Sequence, residues 1–319
     1  MRSARRAGAL LAVALAAAGC GTWSNDDIAF VEALPTSQAL RFSMPSTASQ
    51  ALTTGTGSAC GTAGASEVWA QSKPVSDALN AAVEQLLGLV DLVKSAPPSS
   101  REPDSRVWGP WADGKHAGME VRVTMTRSRD ASGVPTYGYV FEERPRGGAY
   151  LPVLEGSFRG DSARAGSGAF AVHFANMRTL GVDDHPATDP AGDLTVEYDR
   201  TGDPRTLAMD VPPGPQSGGL VDFSYAYAGY QSGAGRFDFV FVNASAQRYE
   251  VATRFDATGA GLATVTVVLG ATSRFTFQEC WDSAGCITDV KDATTLFTAN
   301  GISGLCPGGI CPSGACPGP

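Results

Sequence analysis

The sequence predicts a mainly β (α+β) fold: an antiparallel meander of about 10–11 strands, rolled into a barrel or half-barrel, with one amphipathic helix. After residue 118, many short segments alternate apolar and polar side chains, and turn sequences rich in glycine, asparagine and aspartate separate them. Before residue 118, one long segment instead has apolar residues three and four positions apart. The 38 glycines and 20 prolines of the 319-residue chain fit a fold with many turns.

The predicted helix lies within residues 72–98. We expect Ser72 to cap its N-terminus, Pro74 to lie in its first turn, and Pro97 and Pro98 to end it. Its apolar residues form one face, which consists of Val75, Ala78, Leu79, Ala82, Val83, Leu86, Leu87, Val90 and Val93.

Aromatic side chains define the inner face of the predicted sheet. In several segments the rings fall at every second position, which places them on one face of each strand. These rings are Tyr137, Tyr139 and Phe141; Phe170 and Phe174; Phe223, Tyr225 and Tyr227; Phe237, Phe239 and Phe241; and Phe275 and Phe277.

The width of this sheet predicts that it curls. About eleven strands spaced about 4.8 Å apart span roughly 50 Å, whereas one helix is only about 10–12 Å across. A single helix therefore covers two or three strands. Each aromatic side chain that stays uncovered leaves about 150–250 Å² of surface exposed to water that it could otherwise bury. We expect the sheet to wrap until its aromatic face meets itself, the helix or a ligand. Trp108 and Trp111 are expected to plug its end rather than form a ligand-binding mouth.

The N-terminus predicts export from the cytoplasm. Arg2, Arg5 and Arg6 precede an uncharged apolar stretch, residues 7–18, and small residues follow. These are the three parts of a secretory signal. About a dozen apolar residues are too few for a membrane-spanning helix, which needs roughly 20.

The signal ends in Ala17-Ala18-Gly19-Cys20, which resembles the lipobox of bacterial lipoproteins. The resemblance implies cleavage before Cys20, diacylglycerol on its sulfur and an acyl chain such as palmitate on its new amino group, which together anchor a protein stably to a membrane. An aspartate in place of Gly21 would imply retention in the inner membrane, so its absence implies the outer membrane. The alternative is a plain secretory signal in which the cysteine is incidental.

The chain divides into four predicted regions. They are a signal peptide over residues 1–19, a lipidated flexible tether over 20–72, a helix and meander domain over 73–299, and a tail rich in cysteine, proline and glycine over 300–319. The tether is predicted from its serine, threonine, alanine and glycine content. Two short apolar runs within it could still pack as an edge segment.

The cysteine count predicts disulfide bonds in an oxidising compartment. The chain has seven cysteines, and six remain if Cys20 is acylated. The six are Cys60, Cys280, Cys286, Cys306, Cys311 and Cys316. They allow 15 pairings, of which we predict Cys280–Cys286, across a short loop. The last three could bind a soft metal as thiolates, but disulfides or a disordered tail are favoured in this compartment.

The charge balance argues against nucleic acid as a partner. The net charge is −8, and removal of residues 1–19 takes away three arginines, leaving about −11. An acidic surface repels phosphate backbones, and the sequence of the mature chain contains no run of lysine or arginine. The membrane, reached through the N-terminal anchor, is the one partner that the sequence predicts.

No group of residues in the sequence predicts catalysis, a cofactor or a metal site. The three histidines, His116, His173 and His185, lack metal-ligand spacing, and His173 is expected on the outer face of its strand. Residues 160–166 resemble the opening motif of the GDS esterases, but no Asp-x-x-His follows, so a hairpin turn is predicted. The aspartates of residues 183–193 are predicted to form a solvated turn rather than a calcium loop. We therefore predict a protein that is not an enzyme.

A helix followed by about eleven curved antiparallel strands in an envelope lipoprotein resembles the LolA/LolB lipoprotein-localisation half-barrels in architecture. No sequence motif accompanies this resemblance, so it implies no functional residue. The predicted function is a membrane-anchored envelope protein with a structural or interaction role. The alternative is a carrier or sensor that binds an apolar ligand inside the rolled sheet, which would need a continuous apolar cavity.

Overall fold

Three helices and fourteen strands form the part of the chain that the structure describes. The computed structural model describes residues 23–45, 60, 64–160, 165–183, 192–212, 222–242, 247–269 and 273–292. The helices are α1 (Asn25–Glu32), α2 (Glu67–Ser95) and α3 (Phe174–Leu180). The strands are β1 (Ser100–Glu102), β2 (Ser105–Ala112), β3 (Met119–Arg129), β4 (Pro135–Pro145), β5 (Leu151–Arg159), β6 (Ser167–His173), β7 (Asp193–Asp199), β8 (Arg205–Val211), β9 (Asp222–Gly229), β10 (Gly235–Val242), β11 (Gln247–Phe255), β12 (Gly261–Leu269), β13 (Ser273–Trp281) and β14 (Ile287–Asp292).

The strands form one antiparallel sheet in strict sequence order, and each is paired with its neighbours along the chain. Among the described residues β1 and β14 each pair with a single strand, so the sheet is open. The predicted mainly β class and antiparallel meander are confirmed, whereas the predicted number of 10–11 strands is too low. One reason for the low number is that strand β1 has no apolar face. All three of its residues are exposed, so side-chain alternation could not reveal it.

The alternation of side chains identified the inner face of the sheet correctly for most rings. Tyr137, Tyr139 and Phe141 of β4 are all buried, and the residues between them are only partly buried. A single core cluster joins this face, from β2 to β13, to α1 and α2. Phe275 near the start of β13 is an exception, because half of it is exposed, while Phe277 packs against the core.

Side chains from the helical segments fill the inner face. Phe30 of α1 meets Tyr137 edge-on, with 5.4 Å between ring centroids. Trp69 of α2 lies 5.6 Å from Trp281 of β13. Phe42, in the segment after α1, packs against rings of β9 and β10. At these positions the interior is occupied by the protein itself, in arrangements typical of buried aromatic pairs.

Helix α2 begins earlier than the sequence predicts. Its N-cap is Ser66, whose Oγ accepts a hydrogen bond of 3.0 Å from the Trp69 N–H and also donates to Glu279 of β13. Ser72 and Pro74, predicted as cap and first turn, lie inside the helix. Glu279 is distant in sequence from Ser66. Its hydrogen bond holds the Ser66 side chain in place, which explains why Ser66 is the cap. The predicted end is confirmed, since the helix stops at residue 95, just before the two prolines.

Residues 23–45 differ from the predicted tether. They contain α1, which starts with a capping box between Ser24 and Asp27, and they contribute fully buried side chains to the core. Those side chains include Phe30, Leu34, Leu40 and Phe42. The apolar runs are short and lie among polar residues, so the composition of this segment did not predict that they are buried. Residues 46–59 of the predicted tether lie outside the described residues.

Two glycines make room for large rings on the inner face. A Cβ on Gly156 of β5 would lie 2.5 Å from the Tyr139 hydroxyl oxygen, and one on Gly261 of β12 would lie 2.4 Å from the Trp281 ring. Each ring therefore lies across the glycine of the neighbouring strand. Glycine within a strand commonly marks such close approaches.

Candidate functional site

Two adjoining cavities lie where the segment after α1 meets α2 and the connection between β7 and β8. Their volumes are about 380 and 570 Å³. Both are lined by Arg41, Arg200 and Arg205, together with Gln38 and Ser43. We call this site the arginine pocket, after the three arginines.

Backbone hydrogen bonds position Arg41. The neighbouring Phe42 is held by Asn80 of α2, whose Oδ1 accepts from the Phe42 N–H at 2.8 Å and whose Nδ2 donates to the Phe42 carbonyl at 2.9 Å. The Tyr227 hydroxyl donates to the carbonyl of Ser43 at 3.0 Å. The segment that carries Arg41 is thus fastened to both the helix and the sheet.

The connection between β7 and β8 positions the other two arginines. Arg200 follows β7 directly and Arg205 begins β8. Asp199 fixes the turn between them, since its Oδ1 accepts from the Thr201 N–H at 2.7 Å. Asp203 then accepts from the N–H of Gln231 at 3.0 Å, which joins the turn to the connection between β9 and β10.

The pocket is electropositive although the protein as a whole is acidic. Among the described residues, Arg41, Arg200 and Arg205 form no ion pair, and the larger cavity is lined by no aspartate or glutamate. Arg200 donates to the carbonyl oxygen of Gln38, but its Nε is buried without a partner. Burial and the like charge of Arg205 lower the pKa of Arg200.

This arrangement is suited to binding an anion. Guanidinium groups donate several hydrogen bonds in a planar fork that matches the oxygens of phosphate or carboxylate. The buried Nε of Arg200 supplies an unsatisfied donor, and a bound anion would relieve the repulsion between the arginines. Sequence analysis missed the pocket because Arg41 is far along the chain from Arg200 and Arg205, and those two arginines alone do not form a basic cluster in the sequence.

The cysteines pair differently from the local prediction. Cys60 and Cys286 form a disulfide with a Cα–Cα distance of 5.1 Å, so the predicted Cys280–Cys286 bond is wrong. The register of β13 with β14 places Cys280 opposite Asp289, whereas Cys286 lies in the turn before β14. Cys280 is also disulfide-bonded. The other four cysteines lie outside the described residues. They are Cys20, Cys306, Cys311 and Cys316.

The tryptophans near the start of the sheet lie in β2 and pack in the core, whereas their predicted role as a plug at the end of a barrel stays a prediction. Trp108 is fully buried and donates from Nε1 to the carbonyl of Ala96 at 3.0 Å. Trp111 packs partly buried against the same core.

Two other predicted segments lie partly outside the described residues. Residues 161–164 of the GDS-like segment are outside them, and so are residues 184–191 of the aspartate-rich segment, which include His185.

One group of described residues could hold a metal ion, and the sequence did not predict it. Ligand atoms of Asp113, His116 and Glu143 lie within 4.8 Å of one another. Burial and the charge of Asp113 raise the pKa of Glu143 to about 7. Burial would raise the pKa of Asp113, but hydrogen bonds from Lys115 and His116 lower it overall. The sequence analysis found no metal-ligand spacing at His116, and Glu143 comes from another strand, 27 positions further along the chain.

Comparisons with protein-family models, curated proteins and solved structures find no match to this chain. The likeness to the LolA/LolB half-barrels therefore stays a prediction of architecture. Within the described residues, no helix has both the length and the apolar character needed to cross a membrane.

Proposed function

We propose that this chain is a non-enzymatic, lipid-anchored protein of the bacterial cell envelope that binds an anionic group of a ligand or partner in the arginine pocket. The observation that carries the binding role is the convergence of Arg41, Arg200 and Arg205 on one cavity, with no carboxylate partner among the residues that the structure describes. Guanidinium groups form strong, charge-assisted hydrogen bonds with carboxylate or phosphate oxygens, so three of them that have no such partner within the described residues are suited to an external anion.

The proposed location rests on the lipobox-like sequence before Cys20. The Cys60–Cys286 disulfide supports it, because such bonds persist in oxidising compartments outside the cytoplasm. We infer an outer-membrane anchor from Gly21.

We also infer that the open sheet forms a half-barrel around α1 and α2. One core cluster joins inward side chains from β2 to β13 to only two helices, α1 and α2. Two helices are too narrow to cover a flat sheet of this width. The contacts of Phe30, Phe42 and Trp69 with the sheet leave an apolar ligand less room there. They favour the interaction role over the carrier of an apolar ligand.

The binding role is tested with inorganic phosphate as the probe. We expect calorimetry on the mature chain to detect phosphate binding, and Arg200→Gln and Arg205→Gln each to weaken it at least about tenfold, because a hydrogen bond to a charged group contributes about 1.5–3 kcal/mol. Arg129→Gln is the matched control, since Arg129 is outside the pocket and, within the described part of the chain, its side chain donates to the Gly133 carbonyl alone. Absence of phosphate binding, or equal losses in all three variants, would overturn the role.

A second arm identifies the source of the anion. Vesicles of phosphatidylglycerol and of phosphatidylcholine present an anionic and a zwitterionic headgroup. Binding to the anionic vesicles alone, lost in Arg200→Gln, indicates a lipid headgroup. Binding of free phosphate without vesicle binding through the pocket indicates a soluble anion.

The anchor is tested separately, on protein purified from its own membrane. Mass spectrometry should show a chain that begins at Cys20 and carries three acyl groups. Cys20→Ala should move the protein from the membrane to the soluble fraction. An unmodified cysteine in the membrane-derived protein would refute lipidation without affecting the proposed pocket.

A further inference from the structure

We propose that Asp113, His116 and Glu143 form a binding site for a divalent transition-metal ion, with Zn²⁺ the best match to the ligand set. The site lies at the end of the sheet where the β2–β3 turn meets β4. It is separate from the arginine pocket, and it does not depend on the proposed function.

Backbone structure brings the first two ligands together. Asp113 follows β2 directly, and its N–H donates to the carbonyl of Met119 at 3.0 Å. The Met119 N–H in turn donates to the carbonyl of His116 at 3.1 Å, which closes the turn. The Nδ1 of His116 lies 2.5 Å from Oδ2 of Asp113. The turn thus presents an imidazole and a carboxylate side by side.

Strand β4 supplies the third ligand from the inner face. Glu143 pairs in register with Val121 of β3, two positions along the same face from Phe141. All three ligand atoms lie within 4.8 Å of one another. Zinc bound to nitrogen and oxygen at about 2.0–2.2 Å needs its ligands roughly 3.3–3.6 Å apart, so small side-chain rotations suffice.

An unsatisfied buried oxygen points to a bound cation. Glu143 is only 5% exposed, and its Oε2 has no hydrogen-bond partner within the described part of the chain. Burying a carboxylate oxygen without a donor is unfavourable, and a second carboxylate, Asp113, stands beside it. A divalent cation between the two would satisfy both.

The nearby arginines are engaged elsewhere. Arg144, adjacent to Glu143, pairs with Glu120 at 2.9 Å, and Arg122 pairs with Glu142 at 2.8 Å. These four residues alternate with the inward positions and are only partly buried. Arg146 also pairs with Glu120, so none of these three arginines neutralises Glu143 within the described residues.

The donor set favours a transition metal over calcium or magnesium. Imidazole suits Zn²⁺ and its neighbours, whereas Ca²⁺ and Mg²⁺ prefer sites made entirely of oxygen. Three protein ligands leave one tetrahedral position for water or an external ligand.

His173 provides a matched comparison within the same protein. It also lies near two carboxylates, but Glu155 is 3.3 Å from its Nε2 and Asp193 is 3.1 Å from its Nδ1. Its partners thus lie on opposite sides of the ring and cannot share one ion with a single nitrogen. Both carboxylates are about half exposed, so solvent already satisfies them.

The test titrates metal into the chelator-treated mature chain. We expect one Zn²⁺ per chain by calorimetry, and Co²⁺ as a spectroscopic probe should show a d–d band that Zn²⁺ displaces. His116→Ala and Glu143→Gln should each weaken Zn²⁺ binding by about 10- to 100-fold, while His173→Gln should leave it unchanged. Ca²⁺ should not compete.

The outcomes separate a site from incidental binding. Failure of Zn²⁺, Co²⁺ and Mn²⁺ to bind would overturn the proposal, and so would binding that is unchanged in His116→Ala. If Glu143→Gln fails to fold, His116→Ala decides the matter alone, because His116 lies in a turn rather than in the core. Phosphate binding should be the same in His116→Ala and in the wild type, which keeps the two sites distinguishable.

Discussion

The Nε of Arg106 on β2 lies 2.7 Å from Oδ1 of Asp27 on α1, although the residues are 79 positions apart. Asp27 is fully buried, and Arg106 is 5% exposed. Asp26 next to it pairs with both Arg106 and Arg127. This ion-pair network attaches α1 to the edge of the sheet, and the guanidinium groups of Arg106 and Arg127 lie over the Phe30 ring, 4.8 and 4.9 Å from its centroid.

Asp27→Asn should destabilise the fold substantially. Asparagine removes the charge that faces Arg101 and Arg106, and Arg106 then keeps Asp26, whose side chain is 42% exposed, as its carboxylate partner, so we expect a loss of about 2 kcal/mol in the free energy of unfolding. Chemical denaturation measures it. Asp104→Asn is the control, because its side chain is 72% exposed at 3.6 Å from Arg127, and it should change stability by less than about 0.5 kcal/mol. Equal effects of both substitutions would contradict the role of Asp27.

Acid should remove the stabilisation that Asp27 provides. Burial alone would raise the pKa of Asp27, but hydrogen bonds from Ser24, Arg106 and Arg101 lower it from 3.8 to about 2. The folded state thus holds this proton less tightly than the unfolded state. Ionised Asp27 therefore contributes about 2 kcal/mol to the free energy of unfolding above about pH 4. This contribution is lost as the pH falls towards 2.

Unfolding free energies measured from pH 5 to pH 2 check this dependence. The wild type should lose more stability over that range than Asp27→Asn, which lacks the titrating group. Parallel curves for the two proteins would show that Asp27 has the same pKa in the folded and unfolded states.

Gly156→Ala should destabilise the sheet by overpacking it. A Cβ there would lie 2.5 Å from the Tyr139 hydroxyl oxygen and 2.5 Å from the carbonyl oxygen of Ala169. The backbone oxygen cannot move away cheaply, so we expect a loss of about 1–3 kcal/mol. Gly88→Ala in α2 is the matched control, because its Cβ would have nothing within 4 Å. It should stabilise by about 0.5–1 kcal/mol, and thermal unfolding of both variants checks the contrast in sign.

Removing the Cys60–Cys286 bond should lower the stability of the fold, because the unfolded chain then gains conformational entropy. The bond links residues 226 positions apart, and releasing so long a loop costs about 2–5 kcal/mol. The double variant Cys60→Ser/Cys286→Ser avoids a free thiol that could exchange. Denaturation in the absence of reductant gives the difference from wild type.

Peptide mapping without reduction tests the pairing itself. A cross-linked peptide should contain Cys60 and Cys286. A peptide linking Cys280 to Cys286 would contradict the observed connectivity.

Much of the sheet could be predicted from local patterns. In β4 and β10 the aromatic residues alternate regularly, so the side facing the core follows directly from a period of two. Strand β1 has no such pattern, because its residues are all exposed. The two apolar runs of residues 23–45 are too short for their burial to stand out from the polar composition around them.

The candidate sites were less predictable than the fold. Arg41 and Arg200 are separated by about half of the chain, and neither has a distinctive neighbourhood in the sequence. Asp113 and His116 are close in sequence, but two ligands in a turn do not indicate a metal site. Only the pairing of β3 with β4 brings Glu143 to them.

By itself the sequence determined the mainly β class, the antiparallel order, the long helix and the inward side of most strands. Each of these follows from propensities and side-chain alternation within a few residues. The tertiary structure alone decided the contacts across long separations: Asp27 with Arg106, Cys60 with Cys286, and the convergence of the three arginines. Periodicity specifies which face of an element is buried. What packs against that face depends on strand register and on the free energy of packing the whole chain, which no local pattern contains.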